Sequence, residues 1–291
     1  MLARHLDRPT TSRRRGIVRA LLRPVAAVAV SAGLLVAATA CTTQTPTTPY
    51  PHSMAAVGDS VTRGADACGR YSDCPAVSWS TGTVAGVSSH SARLLLHSPG
   101  LRTYNDAQTG ATTADLRGQV GDAVLQGSDY LTVLIGANDV CTATTSQMTP
   151  AATVEQRVTA ALRTYTAARP AGRVLVASIP DVYRLWQVGH ADATARLFWS
   201  YGQICQSMLA DPASTAPADA ARRLAVHSRL LDDNAALARA CAAVPRCRWD
   251  GGAVTRTTFA LSQLSNLDYF HPNPAGQRLL ADTTWRVGYW A

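Results

Sequence analysis

The stretch Met54-Ala55-Ala56-Val57-Gly58-Asp59-Ser60 decides the fold class that we expect for this chain. Its apolar residues predict a short buried strand, and the Gly-Asp pair that follows predicts a tight turn. A serine at the carboxyl end of such a strand, just before a helix, can present its hydroxyl in the crevice where open α/β sheets bind ligands. Ser60 is therefore a candidate nucleophile, although the tripeptide alone also fits an ordinary turn serine.

Length and composition indicate one large α/β domain. The chain has 291 residues, of which 47% are hydrophobic and 16% are charged, so a sizeable core is possible and disorder is not indicated. Its formal net charge is +8, but residues 1–40 contain seven arginines and one acid. The rest of the chain has 20 arginines against 18 acidic residues. This near-neutral balance gives no reason to expect a nucleic-acid partner.

Residues 1–40 have the features of an export signal of the lipoprotein type. An arginine-rich start, which includes a twin-arginine-like Arg14-Arg15 pair, precedes an apolar segment at 25–38. That segment is too short for a comfortable transmembrane helix. The small residues before Cys41 predict cleavage there and acylation of this cysteine. The alternative is cleavage after Ala40 without a lipid, because Ala38 replaces the usual leucine.

The leader also indicates how the rest of the chain is organised and where the protein is located. We expect residues 41–52 to form a polar tether and residues 53–291 to form one folded domain without internal repeats. The mature protein would be exported, and either anchored on the extracellular side of the cell membrane or secreted. We expect it to be a monomer.

Six cysteines follow Cys41, and an even number in an exported chain predicts disulfide bonds. Cys68 with Cys74 and Cys241 with Cys247 are close in sequence, which favours two local bridges. Cys141 and Cys205 then remain as a third pair, among the 15 pairings that six cysteines allow. A zinc site is the alternative, but no C-x-x-C or H-x-x-x-H spacing supports it. We therefore expect neither a metal nor a cofactor.

Alternation of strand and helix patterns predicts a parallel sheet covered by helices on both faces. Further strands are predicted at 101–106, 130–135, 173–179 and 246–249. Helices are predicted at 87–97, 113–125, 150–168, 191–209, 218–243 and 274–289. The helix at 150–168 would have Thr149 as its N-cap and Pro150 as its first residue.

Three clusters of polar residues or glycines lie at or beyond strand ends. The first runs from Asn105 to Gly110, where the glycine allows a ligand to approach backbone N–H groups. The second is Gly136-Ala137-Asn138-Asp139, whose asparagine amide can donate to an oxyanion. In the third, Asp268 can fold back onto the Nδ1–H of His271. Taken singly, each cluster also fits an ordinary turn or cap.

Together these clusters match the requirements of acyl transfer. A serine nucleophile needs a general base, and the base needs an orienting partner. The tetrahedral oxyanion needs positioned N–H donors. Ser60, His271 and Asp268 can fill the first three roles, and Gly110 and Asn138 can supply donors.

The ordered blocks resemble those of the GDSL, or SGNH, hydrolase family. The blocks are Gly58-Asp59-Ser60, Asn105 to Gly110, Gly136-x-Asn138-Asp139 and Asp268-x-x-His271. The resemblance implies a flavodoxin-like three-layer α/β/α fold. It also implies Ser60 as nucleophile, His271 as base, Asp268 as its orienter, and an oxyanion hole made of the Ser60 and Gly110 N–H groups and the Asn138 side chain. One departure is Val61, where the family name has leucine.

The resemblance favours a serine ester hydrolase that acts on small-molecule or lipid esters through an acyl-enzyme. The cysteines and the leader resemble those of exported actinobacterial members, and residues 178–186 are similar to a segment of phospholipase-B-like members. A carbohydrate O-acetylesterase is the alternative within enzymes, and a non-catalytic ligand-binding lipoprotein is the alternative outside them. An aromatic set could line an acyl site but is also typical of core; its members are Trp186, Phe198, Trp199 and Tyr201.

Overall fold

The computed structural model describes residues 48–291 of the chain. The predicted signal segment, Cys41 and most of the predicted tether lie outside the described residues. Among residues 48–291, no helix combines the length and the apolar character required for a membrane span.

A five-stranded parallel sheet forms the centre of the domain. Its strands are β1 (Ser53–Gly58), β2 (Arg102–Asn105), β3 (Tyr130–Leu134), β4 (Arg173–Val176) and β5 (Cys247–Trp249). They lie side by side in the order β2-β1-β3-β4-β5, and every neighbouring pair is parallel. This is the flavodoxin-like order, in which the strand order reverses between β1 and β3. The predicted fold class is confirmed.

Burial explains why these segments form central strands. Every residue of β1 and of β3 is buried, as expected for a sheet covered on both faces. Ala55 and Val57 face a core that includes Leu116, whereas Met54 belongs to a second cluster with Leu94 on the opposite face. The alternation of side chains along β1 therefore supplies both helical layers with apolar contacts.

The helices follow the strands in the expected alternation. They are α1 (Ser60–Arg63), α2 (His90–Leu95), α3 (Leu116–Leu125), α4 (Ala137–Val140), α5 (Ala151–Ala168), α6 (Val182–Gly189), α7 (Ala193–Tyr201), α8 (Gln206–Leu209), α9 (Pro217–Ala242), α10 (Ala253–Arg256) and α11 (Pro274–Arg286). Helix α6 was not predicted from the sequence, although Asp181 caps it by accepting from the N–H groups of Tyr183 and Arg184.

Two helix predictions were wrong in detail. The N-cap of α5 is Pro150 rather than Thr149, and no side chain in the described part of the chain caps this helix. The single helix predicted over 191–209 is two helices, because Gln203 and Cys205 adopt left-handed φ values of 51° and 45° between them. A right-handed helix does not continue through such residues.

The three predicted disulfides are present. Cys68 is bonded to Cys74, Cys141 to Cys205, and Cys241 to Cys247. The second bridge joins the residue that follows α4 to the residue that precedes α8, across 64 positions of sequence. It therefore fixes the loop beyond β3 against the helical region of the chain that follows β4.

Candidate active site

The candidate site lies at the carboxyl ends of β1 and β3, where the strand order reverses. Gly58 ends β1 with a φ of +149°, and a Cβ there would lie 2.1 Å from the carbonyl oxygen of Leu134. Only glycine fits at this close approach of the two strands. Asp59 then caps α1 by accepting from the Val61 N–H at 3.0 Å. The turn places Ser60 at the first position of α1.

The structure brings Ser60 together with His271 and Asp268, which are more than 200 positions away in the sequence. The hydroxyl of Ser60 lies 2.8 Å from Nε2 of His271. On the other side of the ring, Nδ1 of His271 lies 2.5 Å from Oδ2 of Asp268. The remaining oxygen, Oδ1 of Asp268, accepts from the N–H groups of Phe270 and His271 at 2.8 and 3.1 Å. The carboxylate is thus fixed by its own loop and leaves Nε2 free to accept the serine proton.

Charges around the imidazole raise the pKa of His271 above its ordinary value of 6.5. Burial by itself would lower this pKa, but the hydrogen bond and the negative charge of Asp268, together with the charges of Asp66 and Asp59, outweigh it. The imidazolium form is consequently favoured.

Asp66 is a site residue that was not predicted from the sequence. Its Oδ2 lies 3.9 Å from Nδ1 of His271, and burial together with the charge of Asp268 raises the pKa of Asp66. Asp66 lies two positions after Gly64, and its backbone carbonyl accepts from the hydroxyl of Ser265. No local pattern indicates this contact, because Asp66 and His271 are 205 positions apart in the chain.

Three residues that line one cleft carry N–H donors, namely Ser60, Gly110 and Asn138. The N–H groups of Ser60 and Gly110 donate to no protein acceptor within residues 48–291. Gly110 has a φ of +83° and open space where a Cβ would be, so its backbone conformation, rather than crowding, requires glycine. The amide of Asn138 donates one hydrogen to the carbonyl of Ala111 at 2.8 Å. That bond orients the amide and leaves its second hydrogen available.

Two buried polar side chains brace these loops. The amide of Gln119 on α3 donates to the carbonyl of Gly58 and accepts from its N–H, at 2.9 and 2.7 Å. Asp139 accepts from the N–H and the hydroxyl of Thr113 at 2.8 and 2.9 Å. The first contact fixes the turn before Ser60, and the second fixes the α4 segment that carries Asn138.

Within the described part of the chain, one group of three side chains has ligand atoms close enough to hold a metal ion. It consists of Asp66, Asp268 and His271, whose ligand atoms lie within 4.8 Å of one another. The Nδ1 atom that would bind an ion is engaged with Asp268. The donor set therefore fits a hydrogen-bonded pair of aspartate and histidine.

A family model described as the GDSL-like lipase/acylhydrolase family matches residues 56–279. The chain belongs to this family. The match includes Ser60, Gly110, Asn138 and His271, and membership identifies the chain as a hydrolase of carboxylic esters. Val61, which replaces the leucine of the family name, is 6% exposed and packs in an apolar cluster with Trp79.

Solved structures with the same fold are distant in sequence. LAE5, an alpha/beta hydrolase enzyme from the metagenome of Lake Arreo in Spain, matches with a TM-score of 0.51 and 17% identity, over 81% of this chain and 94% of its own. A putative GDSL-like lipase from Parabacteroides merdae matches with a TM-score of 0.50 and 18% identity over the same shares. No curated protein matches the chain significantly. The family assignment and the fold thus agree.

Proposed function

We propose that the protein is an exported serine esterase that works through an acyl-enzyme. The observation that carries this proposal is the continuous hydrogen-bonded series from Ser60 Oγ through His271 to Asp268, with distances of 2.8 and 2.5 Å. Such a series supplies a nucleophile, a general base and an orienting carboxylate.

The proposed reaction has two half-reactions. Ser60 Oγ attacks the ester carbonyl carbon while Nε2 of His271 takes the hydroxyl proton. The tetrahedral intermediate collapses, the bond to the alcohol oxygen breaks, and the imidazolium returns the proton to that oxygen. Water then attacks the acyl-enzyme with the same base, which releases the acid and restores Ser60. In both halves the negative oxygen accepts from the N–H groups of Ser60 and Gly110 and from the Asn138 amide.

A probe that reacts with activated serines tests this function. A fluorophosphonate should label the purified protein at Ser60, and the protein should hydrolyse 4-methylumbelliferyl acetate. The Ser60→Ala variant should remain folded by circular dichroism, lose labelling and lose nearly all turnover. Near-wild-type turnover in this variant would exclude the serine mechanism, and an unlabelled, inactive wild-type protein would favour the binding-lipoprotein alternative.

The cellular location is proposed from the leader alone. Acylation of Cys41 would anchor the protein on the extracellular side of the membrane through the tether that follows it. In an expressing bacterium, wild-type protein should then fractionate with membranes, and a Cys41→Ser variant should not. Wild-type protein found in the medium with an unmodified N-terminus at residue 41 would contradict the lipid anchor.

A further inference from the structure

Two cavities of very different size meet at Ser60. The first, which we name the narrow cavity, has a volume of about 40 Å³. The second, which we name the wide cleft, has a volume of about 610 Å³ and is more open. Ser60, Asn138 and Phe270 line both spaces. An ester bound at Ser60 can therefore extend one part into each space.

The position of the base decides which part enters which space. The alcohol oxygen of the ester must receive its proton from Nε2 of His271, so it has to lie on the side of this ring. His271 and Asp268 line the wide cleft and are absent from the wall of the narrow cavity. The carbonyl oxygen occupies the space among the N–H donors, and the alcohol part lies on the side of His271. The third substituent of the carbonyl carbon, the acyl chain, is therefore directed into the narrow cavity.

The walls of the narrow cavity suit a short aliphatic chain. Apolar side chains supply most of its surface, including Val182, Leu185, Phe259 and Leu264. A water molecule requires about 10–15 Å³ of such volume, so about 40 Å³ accommodates roughly three or four atoms of similar size. Arg184 lies at this cavity, but it is paired with Asp181 at 3.4 Å.

The walls of the wide cleft suit a bulky alcohol without negative charge. Aromatic rings are contributed by Tyr71, Phe198 and Tyr201, and carboxyl groups by Asp66 and Asp268. No arginine lines the cleft in the described part of the chain. A phosphate group would therefore meet acids rather than a cationic partner.

We propose that the narrow cavity selects acyl chains of about two to four carbons and that the wide cleft receives a bulky alcohol that carries no negative charge. This assignment rests on the proposed serine mechanism and adds the substrate class to it. It disfavours long-chain lipids and phospholipids as substrates. Two members of the aromatic set, Phe198 and Tyr201, then contact the alcohol rather than the acyl chain, whereas Trp199 is buried in the core.

Two substrate series test the assignment. With 4-methylumbelliferyl esters, kcat/KM should be highest for acetate to butyrate and at least about tenfold lower for octanoate, because surplus methylenes do not fit. With acetates of constant acyl group, benzyl acetate should be preferred over ethyl acetate, and 1-acetylglycerol over its 3-phosphate. Equal or higher kcat/KM for octanoate, or a preference for the phosphate, would overturn the assignment.

Matched variants test which residues cause the selection. Phe259→Ala and Leu185→Ala enlarge the narrow cavity and should each raise the octanoate-to-butyrate ratio by about tenfold or more. Tyr201→Ala, in the wide cleft, should change KM for benzyl acetate and leave the acyl-length optimum in place. An unchanged acyl optimum in both cavity variants, or a shift of that optimum in Tyr201→Ala, would refute the assignment.

The outcomes also separate the two proposals. If Ser60 is labelled by a fluorophosphonate and esters of all acyl lengths are cleaved equally, the esterase mechanism stands and only the cavity assignment fails. If Ser60 is not labelled and no ester is cleaved, the mechanism itself fails.

Discussion

Replacement of Asn138 by alanine isolates one donor of the proposed oxyanion hole. The wild-type amide has two hydrogens, of which one is bonded to the carbonyl of Ala111 at 2.8 Å. The second is free to bond an oxygen that becomes negative only after Ser60 has attacked. An interaction made mainly in the transition state changes kcat more than KM.

The size of the effect follows from the number of donors. The N–H groups of Ser60 and Gly110 remain in Asn138→Ala, so the oxyanion loses one of three donors. Loss of one such donor lowers kcat by about 10²–10³. The carbonyl of Ala111 also loses its partner, which costs about 1 kcal/mol of stability and leaves the protein folded.

Steady-state kinetics with 4-methylumbelliferyl butyrate measures both constants. We expect kcat of Asn138→Ala to fall by about 10²–10³ with KM nearly unchanged, and slow labelling by a fluorophosphonate to persist because Ser60 and His271 are intact. Asn138→Asp is the isosteric control and should recover nothing, since a carboxylate repels the developing negative charge. A raised KM with an unaltered kcat would refute the oxyanion role and make Asn138 a ground-state binding residue.

Three further perturbations test the electrostatics and the cross-links. The rate should fall on acidification with an apparent pKa above 6.5, because the pKa of His271 is raised and only neutral imidazole acts as a base. Asp66→Asn should lower this apparent pKa, so that the acidic side of the pH–rate profile moves to lower pH. An unchanged profile would exclude the influence of Asp66. Asp233 is fully buried, neither of its carboxyl oxygens has a hydrogen-bond partner among residues 48–291, and burial raises its pKa to about 7. The folded state then binds this proton more tightly than the unfolded chain, so its stability falls as pH rises from about 4 to 7. Asp233→Asn should remove this pH dependence, which amounts to about 4 kcal/mol at most. The free energy of unfolding is measured in urea at pH 5 and pH 8 for both proteins. The same difference between the two pH values in wild type and variant would contradict the explanation. Finally, joint replacement of Cys141 and Cys205 by serine should lower the free energy of unfolding by about 4 kcal/mol. This loss should exceed that for either of the other two bridges, whose cysteines are only six positions apart in sequence. An equal loss for all three bridges would contradict an origin in loop entropy.

The strands and the site loops were predictable because their signals are local. The apolar runs of β1 and β3 are buried along their whole length, and a parallel sheet brings the loops after them to one edge. Ser60 and Asn138 therefore had to lie near each other once both runs were recognised as parallel neighbours. The family resemblance then indicated that His271 and Asp268 would lie at the same edge.

The missed features depend on contacts between distant segments. Gln119 braces Gly58 across 61 positions, and helical periodicity shows only that it lies on α3. The interruption between α7 and α8 coincides with the Cys205 end of a bridge to Cys141. By contrast α6 had a local signal, since Asp181 precedes an apolar-periodic segment and caps it.

The hydrogen bond between Ser60 and His271 joins residues that are 211 positions apart. Contacts between residues so far apart in sequence form slowly, because closing the intervening loop costs conformational entropy. During synthesis the proposed nucleophile, Ser60, is added 211 residues before the proposed base, His271. Under the proposed mechanism a chain that does not yet include His271 has no hydrolytic activity, so the appearance of activity during refolding marks the joining of these two segments rather than formation of the sheet.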